Sequence, residues 1–213
     1  MRDEAPALRS AASVKTVVSV SLGSSKRDHE VELDLFGERF HVRRIGTGGD
    51  VSRAVSLLEE LDGEVDALGL GGANMSMSAA GRTWWLRNGR RFARACRETP
   101  LVDGSGLKGA VEADVVRVMA EDLGLELAGK RVLVCSAADR WGMTEGFLDA
   151  GCEVAAADRL FALRAGAPVC GREAIERNVR ALGPVISLMP LTWRHPDRSD
   201  HARPEPGGMH ADP

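Results

Sequence analysis

Residues 129–159, GKRVLVCSAADRWGMTEGFLDAGCEVAAADR, decide how the rest of the chain is read. Arg131 to Cys135 is a short apolar, β-branched run behind Gly129-Lys130, which reads as a strand buried on both faces. Small residues follow at Ser136-Ala137-Ala138-Asp139 and make a turn. Trp141, Phe147, Leu148 and Ala150 then space as one face of a helix that stops at Gly151. Val154 to Ala157 is a second strand, closing on Asp158. Two strands joined by a helix of this length form a right-handed parallel βαβ unit, which aims the helix N-terminus at the carboxyl end of the first strand. Backbone N–H groups and the helix dipole there attract a pyrophosphate, and an acid closing the second strand accepts hydrogen bonds from an adenosine ribose. Asp158 holds that acidic position.

The usual G-x-G-x-x-G fingerprint needs glycines for a tight turn, close approach to phosphate and close helix packing. Ser136, Ala137, Ala138 and Gly142 stand near those places, and only Gly142 is a glycine. Ser and Ala take little room, yet each carries a Cβ that disfavours positive φ. The stretch reads either as a dinucleotide site with an altered fingerprint or as a structural βαβ unit without a ligand.

Upstream, Asp103-Gly104-Ser105-Gly106 opens a helix that leads into Gly129. Its N–H groups could bind an anion, or Asp103 and Ser105 could simply cap the free amides. Further back, Lys15 to Leu22 is a strand, and Val31–Phe36 with Glu38–Arg43 is a hairpin about Gly37. Asp50 caps a helix through Leu61, and Val65 to Leu70 is another buried strand. Arg82–Leu86 and Gly89–Cys96 add a short strand and a helix, and the Trp84-Trp85 pair points to opposite strand faces. The order describes a small N-terminal α/β domain over 15–100. Two of its loops follow strands, where α/β sites gather: SLGSSKRDHE from Ser21, and the Gly69–Asn74 turn. Each also reads as ordinary solvated turn chemistry.

Downstream of Asp158, Phe161–Arg164 reads as loop, Arg172–Ala181 as helix and Val185–Leu188 as a third strand. Three parallel strands are half of a doubly wound domain, so 101–190 reads as an incomplete Rossmann-like parallel βαβ domain. Either the C-terminus is truncated or frame-altered, or another subunit of a homo-oligomer completes the crevice. The flanks, a leader over 1–14 and a Pro-, His- and Asp-rich tail over 191–213, have almost nothing to bury and are expected to be disordered.

Composition narrows the partners. Of the 213 residues, 28 are basic and 31 acidic, a net charge of −3 without a basic face, which argues against nucleic acid. No run approaches the roughly 18 apolar residues of a membrane helix, and the N-terminus lacks the apolar core of a secretion signal. Cys96, Cys135, Cys152 and Cys170 are too widely spaced for zinc and read as reduced, cytoplasmic thiols. His195, His201 and His210 sit in the tail without metal-ligand geometry, so no metal is expected. The chain has no tyrosine, which removes one common general acid.

VDGSG over 102–106, a helix, then GKRVLV over 129–134 resembles the core of the shikimate/quinate dehydrogenase family. SVSLGSSKRDHEVEL and VDGSGLK are similar more closely to uncharacterised bacterial proteins labelled quinate 5-dehydrogenase, a resemblance that spans about residues 16 to 190 and implies a longer C-terminus. It implies an oxidoreductase acting on a polyhydroxylated cyclic acid. Asp103 matches the family aspartate that, with a lysine, holds the hydroxyl being oxidised; the lysine accepts a proton as hydride leaves. No N-V-T-x-P-x-K stretch precedes Asp103, so Lys26 is the candidate lysine, with Lys108 nearer in sequence. Ser19 and Ser21 match the family's Ser-x-Ser pair, and Ser105 joins them as a substrate-binding residue. Ser136, Ala137, Ala138, Asp139, Gly142, Asp158 and Arg159 form the implied cofactor set, and an acid at 158 favours NAD over NADP because it repels a 2′-phosphate. Set against the oxidoreductase is an α/β protein that catalyses no redox step and keeps the fold to bind a small anionic metabolite or for assembly.

Overall fold

The computed structural model describes residues 14–189, which form a mixed α/β protein. The rest of the expected leader, and the tail with its three histidines, lie outside the described residues. In chain order the first elements are β1 (Lys15–Ser21), a single 3-10 turn (Ser25–Arg27), β2 (His29–Leu35), β3 (Glu38–Gly46) and α1 (Val51–Leu61). Then come β4 (Ala67–Gly71), β5 (Ser76–Ala79), β6 (Arg82–Trp85), α2 (Gly89–Ala95) and β7 (Leu101–Val102). The remainder is α3 (Ser105–Glu121), β8 (Arg131–Val134), α4 (Trp141–Asp149), β9 (Glu153–Ala156), α5 (Asp158–Leu163), β10 (Val169–Cys170) and α6 (Arg172–Leu188).

Five strands form the first sheet in the order β2-β3-β1-β4-β7, with β2 antiparallel to β3 and the other pairings parallel. Alternation explains its buried face: Val18, Val20, Leu68 and Leu70 on the two central strands join Ala54, Val55 and Leu58 of α1 and Phe92 of α2 in one core. The side chain of Asp50 caps α1, its Oδ1 accepting from the Arg53 N–H at 2.9 Å. Burying that stripe orients α1 across the sheet. The turns that precede and follow it therefore sit at the strand ends.

The second sheet runs β10-β9-β8. β8 and β9 are parallel and flank α4, as the periodicity predicts. Three expectations are corrected here. Val185–Leu188 is the last turn of α6 rather than a strand, and the third strand of this sheet is β10, antiparallel to β9. Phe161 and its neighbours lie in α5 rather than a loop. β8 is not buried on both faces: it is an edge strand, and Leu133 is 57% exposed.

The β5–β6 hairpin belongs by sequence to the first half of the chain but packs elsewhere. Met77, Ala79, Ala80 and Leu86 share a core with Val134, Val154 and Ala156 of the second sheet and with Ile175, Val179, Leu182 and Ile186 of α6. Arg180 Nε donates to the Ala80 carbonyl at 3.1 Å, and the Arg87 N–H to the Ser187 carbonyl at 2.8 Å. Trp84 lays its indole on Gly183, while Trp85 on the other face is exposed. Among the described residues no helix is long and apolar enough to cross a membrane.

Any side chain at 183 would meet the Trp84 ring. Gly183→Val recovers only a few tenths of a kcal/mol in helix propensity and overpacks this contact, at a cost of about 1–3 kcal/mol. Urea unfolding followed by tryptophan fluorescence should show a lower midpoint with an unchanged slope. An unaltered midpoint rules out this placement of the hairpin.

Candidate functional site

The carboxyl ends of the parallel strands of the first sheet bring together the turns after β1, β3, β4 and β7. Ser19 and Ser21 lie on one face of β1, as expected from their spacing. Ser21 is buried and engaged: its Oγ accepts from the Gly23 N–H at 3.1 Å and from Arg44 Nη2 at 2.9 Å. Ser19 is half-buried and faces Gly69 of β4. Lys26 is exposed in the 3-10 turn beyond β1. Asp103 closes β7, which β4 separates from β1, and among the described residues no hydrogen bond or ion pair joins Lys26 to Asp103, whose partners are the Met75 and Ser105 amides.

Asp103 is engaged by the backbone. Its Oδ2 accepts from the Met75 N–H at 2.6 Å and its Oδ1 from the Ser105 N–H at 3.0 Å. Partial burial on its own would raise its pKa, but the hydrogen bonds from Ser105 and from the Met75 N–H outweigh that and hold it below the usual aspartate value. The side chain thus ties the loop after β4 to the start of α3.

Asp158 has a similar role at the other turn. It is 1% exposed, with Oδ2 accepting from the Ala137 N–H at 3.1 Å and Oδ1 from the Ala138 N–H at 3.0 Å. The Ser136 hydroxyl reaches Oδ1 at 3.5 Å. Two amides that a pyrophosphate would use are taken by a carboxylate of the chain itself, and that carboxylate offers no exposed oxygen to a ribose. The turn as folded does not fit a dinucleotide in its standard seat. Arg159 is likewise occupied, its Nε donating to Asn178 Oδ1 of α6 at 2.6 Å.

The remaining residues of the set converge. Between the first turns of α3 and α4, with β5 as a third wall, lies a cleft of about 210 Å³ lined by Ser105, Lys108, Glu112, Ala138, Asp139, Trp141 and Gly142, and by Asn74, Ser76, Met77 and Ser78. Gly142 is essential to its shape: a Cβ there would stand 3.1 Å from Glu112 Cβ and 3.2 Å from the Gly109 carbonyl oxygen, so α4 approaches α3 through a side of the helix without side chains. Lys108 Nζ pairs with Asp139 Oδ1 at 2.9 Å. Arg140 Nη1 reaches Glu112 Oε1 at 2.8 Å; Glu112 is 7% exposed, and this hydrogen bond raises the guanidinium pKa against the opposing effect of burial. A second hollow of about 310 Å³ follows the open edge of β8 against Met143 and Phe147 and is largely apolar.

The sequence reading places Ser105, Ala138, Asp139 and Gly142 in separate substrate and cofactor sets; the structure joins them in one cleft. It also promotes Lys108 over Lys26 as the lysine with a carboxylate beside it. The i, i+4 spacing of Lys108 and Glu112 marks one helix face and could have flagged both. No sequence signal points to Ser76 and Ser78. Among the described residues, no group of His, Cys, Asp or Glu gathers where it could hold a metal ion, and burial pushes the Cys96 thiol up to about 11.

Residues 16–103 match the model of a family described as a domain of unknown function (DUF8753), and residues 106–210 that of a second, also a domain of unknown function (DUF8754). The two matches meet at the Asp103–Gly106 turn, beside the cleft. No curated protein matches the chain.

The depressed pKa of Asp103 has a sign that can be measured. Its contribution to stability is fully present above the unfolded aspartate value of about 3.9 and is lost as pH falls through the lower folded value. The stability difference between the native chain and Asp103→Asn should therefore shrink in urea titrations between about pH 5 and pH 2. A difference constant across that range contradicts the clasp.

Proposed function

We propose that this chain binds a small anionic metabolite in the cleft between α3 and α4. The observation that carries the reading is that the N-terminal turns of two helices open into one cleft with Lys108 in its lining, paired with the half-exposed Asp139. Neither α3 nor α4 has an acidic residue within its first turn, although Asp103 just before α3 accepts from the Ser105 N–H and Asp139 stands just before α4. Acids normally gather there to offset the positive end of the helix dipole. In the first turns of α3 the cleft instead presents Lys108, and Arg140 stands at the start of α4 beside the second hollow.

The Lys108–Asp139 pair is compatible with exchange. Its side chains are 24% and 46% exposed, a setting in which an ion pair contributes about 0–1 kcal/mol. A carboxylate or phosphate of a ligand can take Asp139's place on Lys108 at little cost, with the Ser76, Ser78 and Ser105 hydroxyls and the Asn74 amide as hydrogen-bonding partners and Trp141 and Met77 as an apolar wall. The volume lies below the roughly 300–1,000 Å³ typical of drug-sized ligands, which suits a small metabolite and not a whole dinucleotide.

The test is a thermal-shift screen of carboxylated and phosphorylated metabolites, polyhydroxylated cyclic acids included, on the native chain and on Lys108→Ala. A ligand at 100 times its Kd adds about 2.7 kcal/mol of stability. Stabilisation of the native chain that Lys108→Ala loses supports the cleft; stabilisation that survives the substitution, or none across the panel, overturns it.

The oxidoreductase reading raised by the resemblance keeps one observation in its favour. The parallel β8–α4–β9 unit, the Rossmann-like half, opens beside this same cleft, so a nicotinamide ring bound there would meet the Lys108 and Ser105 side chains. It requires Asp158 to release the amides of Ala137 and Ala138. Titration with NADH, read by nicotinamide fluorescence, separates the two readings: saturable enhancement supports an NAD-dependent enzyme, and none at millimolar cofactor leaves the metabolite reading alone.

A further inference from the structure

The turn after β1 holds a second cationic arrangement, away from the α3–α4 cleft. Gly23 has no side chain, and the position its Cβ would take is bracketed by two guanidinium groups, Nη2 of Arg27 on one side and Nη2 of Arg44 at 2.9 Å on the other. Like charges converge only where something holds them. Arg44 is held by Asp28, whose Oδ1 it meets at 2.7 Å, by the Ser24 carbonyl and by Ser21 Oγ. Arg27 has no carboxylate partner among the described residues, and Asp28 is already shared between Arg44 and the Gly46 N–H. One positive charge at this point is thus without a counter-ion in the fold.

Topology supplies an independent reason to expect a ligand here. The connection leaving β1 runs by way of β2 to β3 on one side, whereas the chain leaving β4 proceeds to β7 on the other. The crevice between the carboxyl ends of β1 and β4 is therefore the switch point of the first sheet, the place where open α/β sheets take their ligands. The turns meet there: a Cβ on Gly72 would lie 3.5 Å from the Gly23 amide nitrogen.

We infer that Arg27 and Arg44 grip an oxyanion over Gly23, a phosphate or carboxylate group of a small molecule. Arg44's fork is largely committed to Asp28, the Ser24 carbonyl and Ser21, so Arg27 supplies most of the planar N–H donors to the group's paired oxygens and Arg44 an adjoining positive charge. The bound group takes the place beside Arg27 that no carboxylate of the fold fills. Glycine at position 23 leaves room for the two guanidinium ends, which a Cβ would displace.

The experiment is an NMR titration of the full chain with inorganic phosphate and, separately, acetate at constant ionic strength. It is read at the Gly23 amide and the Arg27 and Arg44 Nε–H signals. One or both anions should shift these signals saturably, and the tighter of the two assigns the ligand class. Arg27→Ala, at an exposed position, should weaken that binding about tenfold or more. Gly23→Ala, whose Cβ would displace the flexible ends of both arginine side chains, should do the same. The inference is overturned if neither anion shifts these signals, or if both variants bind as the native chain does. The signals are distinct from those of Ser105 and Lys108, so failure here leaves the cleft reading standing.

Discussion

Both the second core and the cleft depend on the β5–β6 hairpin reaching across to α6. Trp84 closes on Gly183 and Met77 and Ala79 turn inward, so the hairpin covers α6 in one core shared with β9. The same strand presents Ser76 and Ser78 at its start, as the third wall of the cleft. One short hairpin thereby couples stability to site geometry. If it lifts, the core around Ile175 and Val179 opens and the cleft between α3 and α4 loses a wall.

Aspartates recur throughout as acceptors for backbone amides. Asp28 holds the Gly46 N–H, Asp50 that of Arg53, Asp66 that of Thr16, and Asp62 those of Arg97, Glu98 and Thr99. Asp103 and Asp158 follow the same pattern. A carboxylate with two amides on it has its charge satisfied, and breaking that arrangement leaves buried donors unpaired at about 1–3 kcal/mol each. This is why the two aspartates that motif reasoning singles out for chemistry serve the fold. The residue type and position that suit a ribose or a substrate hydroxyl also suit pinning the amides of a turn, whether it lacks glycines, as Ser136–Asp139 does, or holds them, as Gly104 and Gly106 do.

Strongly periodic segments were legible in sequence. The first hairpin, α1 with its Asp50 cap, and β8–α4–β9 follow from alternation, a 3.6-residue stripe and Gly151. What escaped depends on partners distant in the chain. β5 is SMSA, too small and polar to announce a strand until Met77 and Ala79 find α6 and β9. The sequence reading ends a helix at Ala181 and begins a strand at Val185, yet α6 runs on through Pro184 to Leu188. A proline inside a helix costs about 3 kcal/mol or more. Burying Leu182 and Ile186, which continue the stripe of Ile175 and Val179, returns about 1.5–3 kcal/mol each and offsets it.

The candidate site was legible only in pieces, for the same reason. Ser105, Asp139 and Gly142 stand out as motif residues, but nothing local shows that α3 and α4 start side by side. The charge pattern of the two helix starts becomes informative once they do. A lysine in the first turns of a helix opposes the dipole, an unfavourable placement of about 0.3–1 kcal/mol that Asp139 returns in part. Arg140 at the neighbouring helix start repeats the unfavourable sign, and the buried Glu112 and the half-exposed Asp139, at 3.7 Å, both compensate it. The cost directed at the cleft, that of Lys108, fits a site that recovers it when an anion binds.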